Sequence, residues 1–220
     1  MSQPTNRHQL LHPTAATILV LLAVSYVAAQ MLSDIASLKL VDVFGRALDG
    51  GTFIYPITFT LRDLVHKVAG KKVARALIYA AAVINLLMAG LFWFVDALPA
   101  VADAGISTEQ FGVVLAPVWR IVFASIVAEV VSETIDTEVY SRWVATFGER
   151  MQWGRVLASN GVALPIDSVI FALIAFAGTV SGAVVLEIIT LNILFKGIVT
   201  VASIPLIYTV QPHRLVDAAP

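Results

Sequence analysis

The chain has 220 residues, 59% of them hydrophobic and 13% charged, with a formal net charge of -1 and a mean hydropathy of +0.87. A soluble domain of this length needs far more polar surface to cover its core, so the composition is that of an integral membrane protein set in a lipid bilayer. The charge balance leaves no basic face for nucleic acid, and the absence of cysteine excludes disulfides, thiolate metal sites and thiol catalysis.

Six apolar stretches approach the ~20 residues with which a helix crosses a bilayer. They cover 14–36, 52–69, 73–96, 112–135, 156–177 and 184–209 and are joined by short loops. The expectation is an all-α polytopic membrane protein, one transmembrane domain over 1–220 folded as a compact bundle of six helices. The first stretch follows Arg7 and contains Val27-Ala28-Ala29, small residues that resemble a signal-peptide cleavage site. The apolar run continues through Met31 and Leu32, so an uncleaved span is expected, with Lys39 just beyond it. Ser25 and Ala29 give this span a small-xxx-small pattern that can seat a partner helix. The second stretch carries Arg62 and Asp63, and the third Asn85. An acidic loop with Asp96, Asp103 and Glu109 separates the third from the fourth.

The fourth stretch holds FASIVAEVVSETIDTEVY, residues 123–140, with four acids in an apolar context. At about 100° per residue, Ser125, Glu129, Ser132, Glu133, Asp136 and Tyr140 fall within an arc of roughly 80°. Lipid cannot solvate such an arc, so it is expected to face the bundle interior, while Arg120 projects from the opposite side and Glu138 lies in water. The fifth stretch places Asp167 near mid-membrane, two residues after Pro165, a helix-interior proline that frees a backbone carbonyl. The sixth carries Glu187, Asn192, Lys196 and Pro205. Basic residues Arg7, Lys67, Lys71, Lys72, Arg75, Arg142, Arg150, Arg155 and Arg214 fall on one side, with Lys39 and Arg46 on the other. The positive-inside rule therefore puts both termini in the cytoplasm, with the protein in the cell (inner) membrane.

Ionisable groups inside a bilayer cost several kcal/mol unless paired or facing a wet cavity, and so mark a functional site. Asp63, Arg120, Glu129, Glu133, Asp136 and Asp167 are such groups, and Gln30, Asn85, Asn160 and Asn192 are neutral partners for them. The expected substrate site comprises Asp167, Glu133, Glu129, Asp136, Asn85, Asn160, Asp63, Lys39 and Arg120, with neither catalytic residues nor metal ligands.

Four stretches carry a resemblance that extends from about residue 34 to 178: DIASLK, with Lys39; GGTFIYPITFTLRDLVHKVAGKKVARALIYAAAVINLLMA, with Asp63, Gly70 and Asn85; RIVFASIVAEVVSETID, with Arg120, Ser125 and Asp136; and NGVALPIDSVIFALIAFAG, with Asp167, Ser168 and Phe171. In these the chain resembles the queuosine precursor transporter family, also called the vitamin uptake transporter family. It departs from the family pattern in several places. Asp34 stands in place of an asparagine, Lys67 of an acid, Glu133 of a glutamine and Ala163-Leu164 of a Gly-Gln pair, and Glu129 lies where an aromatic is common.

The resemblance implies uptake of 7-deazaguanine bases or queuine by a fold similar to the substrate-binding subunits of energy-coupling factor transporters. A guanine-like edge offers N–H donors that a carboxylate accepts in a bidentate, charge-assisted pair. An aminomethyl-bearing precursor adds a cation that calls for a second carboxylate. Phe59, Tyr79 or Phe171 would stack on the ring.

The alternatives are a transporter that acts alone, a binding subunit served by a separate energy-coupling module, and a homo-oligomer. No P-loop (GxxxxGK followed by Ser or Thr) occurs in the sequence, so an ATPase would be another chain. An intramembrane enzyme is disfavoured, since HExxH, GxSxG and a GxGD motif at Asp167 are all missing. No cofactor is implied.

Overall fold

The computed structural model describes residues 13–101, 105–147 and 152–209. Helix α1 (Pro13–Ala36) leads into a β-hairpin of β1 (Leu40–Val43) and β2 (Arg46–Asp49) and a 3-10 turn (Gly50–Phe53). Helices α2 (Pro56–Asp96), α3 (Thr108–Leu115), α4 (Val118–Phe147), α5 (Gln152–Phe176) and α6 (Gly182–Thr209) follow. Five segments are long and apolar enough to cross a membrane: Ala16–Ala36, Lys72–Asp96, Thr108–Asp136, Val156–Phe176 and Gly182–Leu206.

The stretch expected as a second span, 52–69, is not among them. It opens in the 3-10 turn, and the helical part, 56–69, extends about 21 Å at 1.5 Å per residue, short of a bilayer core of about 30 Å. Arg62, Asp63, His66 and Lys67 also interrupt its apolar character. This short piece runs into the rest of α2 across Gly70, whose φ of 83° and ψ of 170° lie in a region open to glycine alone. The bend there lets both halves of α2 pack on α1. Val65 of the first half and Ala74, Leu77, Ile78 and Ala81 of the second join Tyr26 in one buried cluster.

The hairpin is a second departure from the all-helical expectation. Phe44 (φ 56°) and Gly45 (φ 78°) form its two-residue tip, and the Asp42 carboxylate accepts the Gly45 N–H at 2.9 Å. Two consecutive left-handed residues match the twist of the paired strands, Val43 opposite Arg46 and Leu40 opposite Asp49. The inner end is buried at Leu48 and Asp49, and the Ala47 N–H donates to the Glu187 carboxylate of α6 at 2.8 Å.

Pro117 divides the fourth expected span into α3 and α4. A capping box opens α3, with Ser107 Oγ accepting the Gln110 N–H and the Gln110 side chain accepting the Ser107 N–H. Small residues then bring α4 and α5 close: Ala124 and Ala128 pack with Ala172 and Ala175, and Ile188 of α6 closes the cluster. Ser25 is exposed while Ala29 is buried, so the two do not share a free face for a partner helix.

Candidate functional site

The buried interior of the bundle is polar along a continuous layer. Tyr26, Gln30, Ser33 and Ser37 recur on α1 at the four-three-four spacing of one helical face, and all are buried with Asp34 beside them. Opposite them, α4 presents Ser125, Glu129 and Ser132, α5 presents Asn160, Asp167 and Ser168, and α6 presents Asn192 and Lys196, all buried as well.

Hydrogen bonds link these side chains across the helices. The Tyr26 hydroxyl donates to Glu129 Oε1, and Gln30 Nε2 donates to the same oxygen at 3.1 Å. Ser132 Oγ lies 3.2 Å from the Glu129 carbonyl and 3.3 Å from Asp167 Oδ1, so its one proton serves either. Lys196 Nζ meets Asp167 Oδ2 at 2.5 Å and sits 4.7 Å from the centroid of the Tyr55 ring. Toward the hairpin, Ser125 Oγ donates to Asp34 Oδ1 at 2.7 Å. Ser37 Oγ donates to Asp49 Oδ1 at 2.8 Å, and Thr52 Oγ1 lies within 2.7 Å of Asp49 Oδ2 and 2.5 Å of Asn192 Oδ1.

Cations are fewer than acids in this layer. Lys196 serves Asp167. Arg62 pairs with Asp63 at 3.2 Å and lies 3.9 Å from Asp136. Among the described residues, the direct hydrogen bonds to Asp34, Asp49 and Glu129 all come from neutral groups. Several buried atoms have no partner: Asp34 Oδ2, Asn85 Oδ1, Asp136 Oδ1, Asn160 Oδ1 and Ser168 Oγ. Buried polar atoms are nearly always bonded, so each of these orphaned atoms is open to a further hydrogen-bond partner.

A small cavity opens within the layer, bounded by Ser33, Ser37, Asp49, Thr52, Tyr55, Ser125, Phe171, Asn192 and Lys196. Its free volume of about 10 Å³ has room for about one water. A bound organic molecule would have to part the helices around it.

The residues expected at the site therefore divide into groups. Glu129 and Asp167 share Ser132 and lie in the layer, and Asn85 and Asn160 are buried with free acceptors. Asp136 and Asp63 gather at Arg62, away from the cavity lining. Arg120 is spent on the end of α5, donating through Nε to the Ile174 carbonyl at 2.7 Å and through Nη2 to the Ala177 carbonyl at 2.5 Å. Lys39 is exposed beyond α1, where it borders an apolar groove with Leu38, Leu40 and Phe53. The Glu133 side chain lies outside the described part of the structure.

Of the aromatics, Phe171 lines the cavity, Phe59 packs with Tyr55 and Leu164, and Tyr79 is 66% exposed, which removes it from the interior. Sequence reasoning missed Tyr26, Asp49, Thr52 and Tyr55. The recurrence of Tyr26, Gln30, Ser33 and Ser37 on one helical face was the available signal for the first. Nothing local marked the other three, which come from the hairpin and the turn after it.

Comparison with known proteins bears on the same residues. The family model described as "Putative vitamin uptake transporter" matches residues 49–210. The chain is also 26% identical over 188 residues to the "Probable queuosine precursor transporter" of Bacillus subtilis (strain 168), an alignment that covers 83% of this chain and 80% of that one. No solved structure gives a significant match.

Proposed function

This chain belongs to the vitamin uptake transporter family, and from that premise we propose that it imports a small, polar, nucleobase-like compound, a queuosine precursor of the 7-deazaguanine or queuine type. It is a multi-pass membrane transporter and not an enzyme. The observation that carries the reading is the set of orphaned acceptors at Asp34, Asn85 and Asn160 inside a polar layer. A guanine-like edge presents N–H donors in one plane, and carboxylate or amide oxygens accept them. Tyr55 and Phe171 line the cavity with Asn192 and Lys196 and supply aromatic surface for the faces of a ring, a contact worth ~1–3 kcal/mol per base.

In this reading Asp167, Glu129, Asn85 and Asn160 hold the substrate directly. Glu133 and Asp136 extend the acidic face of α4 toward the Arg62 end. Asp63 and Arg120 hold the helices in place, and Lys39 stands at the entrance near the hairpin. The first half of α2 completes a six-crossing arrangement as a short element that a locally thinned bilayer accommodates, with both termini in the cytoplasm and the protein in the inner membrane. Import proceeds by separation of the helices around the cavity. Pro165 and Pro205, both inside helices, leave the carbonyls of Gly161 and Val201 without their usual partners and supply flexible points.

The test is uptake of labelled 7-deazaguanines by cells that lack endogenous uptake and express this chain alone. Accumulation above the empty-vector control supports a self-sufficient importer. Accumulation that appears only when an ATPase module is supplied supports the binding-subunit arrangement. If the purified, folded protein binds no 7-deazaguanine, the substrate assignment fails.

A further inference from the structure

The cavity inside the polar layer is too small for an organic molecule, and its lining is chemically one-sided. Six of its lining residues carry short oxygen-bearing side chains, all buried. Ser33 and Ser37 come from the end of α1, Asp49 and Thr52 from the hairpin and the turn after it, Ser125 from α4 and Asn192 from α6. Each hydroxyl has a single proton, and each has already placed it. Ser33 Oγ donates to the Gly51 carbonyl at 3.2 Å, Ser37 Oγ to Asp49 Oδ1 and Ser125 Oγ to Asp34 Oδ1. Thr52 Oγ1 has one proton for two acceptors, Asp49 Oδ2 and Asn192 Oδ1, so one of those two calls for positive charge from elsewhere. What the hydroxyl oxygens have left to offer is lone pairs.

The electrostatics have the same sign. Asp49 lines the cavity, and Asp34 lies one hydrogen bond beyond it, holding the Ser125 proton. Among the described residues both acids are bonded only by hydroxyls, and Asp34 Oδ2 is buried with no partner at all. A carboxylate without a cation is costly in a bilayer interior, where water cannot reach it. Lys196, the cation on the lining, is already matched by Asp167. Ser33 and Ser37 also stand at the carboxyl end of α1, where the helix dipole adds partial negative charge. Gly51 sets the geometry. A Cβ there would run into the oxygens of Ser33 and Ser37, so only bare backbone lets the turn close on α1.

We propose that this cavity is a sodium site and that import is coupled to the sodium gradient through it. The ligands are oxygens of Ser37, Asp49, Thr52, Ser125 and Asn192, with Ser33 at the edge. Asp49 supplies charge in contact with the ion, and Asp34 supplies it through Ser125. Hard cations take oxygen ligands, and a free volume of about 10 Å³ admits one water-sized body. Divalent ions fit poorly. Magnesium keeps several waters, for which there is no room, and calcium relies on several carboxylates, where this lining has one beside an ammonium. Sodium is favoured over potassium because its gradient runs inward, the direction of import. The ion fastens α1, the hairpin, α4 and α6 together, the elements that part to admit an organic molecule, so its binding and the substrate's are linked. The coupling rests on the uptake reading above, whereas the ion site stands without it.

Two measurements test this, and the first needs no organic ligand. Binding of radioactive sodium to the purified full-length protein is followed by scintillation proximity, with sodium, potassium and choline chloride as competitors at constant ionic strength. The expected result is saturable binding that potassium and choline displace at least about tenfold less well than sodium, and that Asp49→Asn weakens by about tenfold or more. The second measurement is uptake of labelled 7-deazaguanine into proteoliposomes that hold this chain alone. An inward sodium gradient is expected to raise the initial rate about tenfold over a potassium or choline gradient, and Asp49→Asn to abolish that difference.

Absence of saturable sodium binding would overturn the proposal and leave the cavity to a water molecule. So would an unchanged sodium affinity in Asp49→Asn, or displacement by potassium as effective as by sodium. Uptake of 7-deazaguanine at one rate in sodium, potassium and choline would overturn the coupling even where the ion binds. Sodium binding that Asp49→Asn weakens, in a protein that binds no 7-deazaguanine, would keep the ion site and discard the substrate class. If the Asp49→Asn protein fails to fold, Thr52→Val is held to the same criterion. It keeps the shape of the side chain and removes one oxygen from the lining, so sodium affinity is expected to fall, and an unchanged value overturns the site.

Discussion

The pair of Lys196 and Asp167 offers the sharpest test of how the interior is held together. The ammonium and carboxylate meet at 2.5 Å with side chains 3% and 1% exposed, so neither has recourse to water. Removing one partner strands a charge, at a cost of about 3–5 kcal/mol, whereas removing both exchanges the pair for well-packed groups at little net cost. Asp167→Asn and Lys196→Met should each destabilise the protein by that amount. The combined variant should return to within about 1 kcal/mol of the parent, a coupling energy of at least about 5 kcal/mol. Ser132 favours this recovery, since its hydroxyl can donate to an amide oxygen at position 167 as it does to the carboxylate. Reversible unfolding of the purified protein in micelles measures all four corners of the cycle. The same four proteins are assayed for uptake, and the combined variant should be stable yet inactive. Additive single costs would refute the pairing as a stabilising unit, and parental uptake by the combined variant would show that the pair does nothing but hold α5 to α6.

Other consequences are simpler to measure. Glu138 and Arg142 form an exposed pair one turn apart at 2.8 Å, so Glu138→Gln should change stability by no more than about 0.5 kcal/mol and leave uptake intact. Gly70→Ala places a Cβ at a φ of 83° and should cost about 1–3 kcal/mol in the same unfolding assay; no measurable loss would mean that the bend can relax. Arg120→Ala removes two charge-assisted bonds to carbonyls at the end of α5 and should lower stability by about 1.5–3 kcal/mol while leaving the apparent KM for substrate unchanged. Glu133→Gln replaces the acid by its neutral amide, and a gain of 7-deazaguanine uptake over the parent would assign substrate choice to that position.

Hydropathy made five of the crossing segments legible because a helix in lipid must hide every backbone polar group, and a long apolar run is the visible consequence. The signal was weaker at 52–69, where Phe53, Ile54, Phe59 and Leu61 accompany four ionisable side chains on a short helix, and that stretch is not among the five long, apolar segments. It was silent at 40–49, since a hairpin of two four-residue strands leaves no periodic trace long enough to read. The acidic face of α4 followed from helical spacing alone, and Glu129 does lie in the interior. Its partners did not follow, because Tyr26 stands 103 positions away in the chain and sequence spacing carries no distance between helices. The same limit hid the bond between Lys196 and Asp167. Asp49 was harder still: it is buried only because the hairpin folds back over the end of α1.

The polar face of α1 has a practical consequence for anyone building chimeras of this protein. A first transmembrane helix is often exchanged for a generic hydrophobic anchor or a fusion leader, on the view that it only tethers the rest. Here such a transplant would insert normally while deleting Tyr26, Gln30, Ser33 and Ser37 in one step, leaving Glu129 without its side-chain donors and Asp49 with Thr52 alone. Fusions meant to raise expression should therefore graft their tags ahead of α1 and leave the helix itself native.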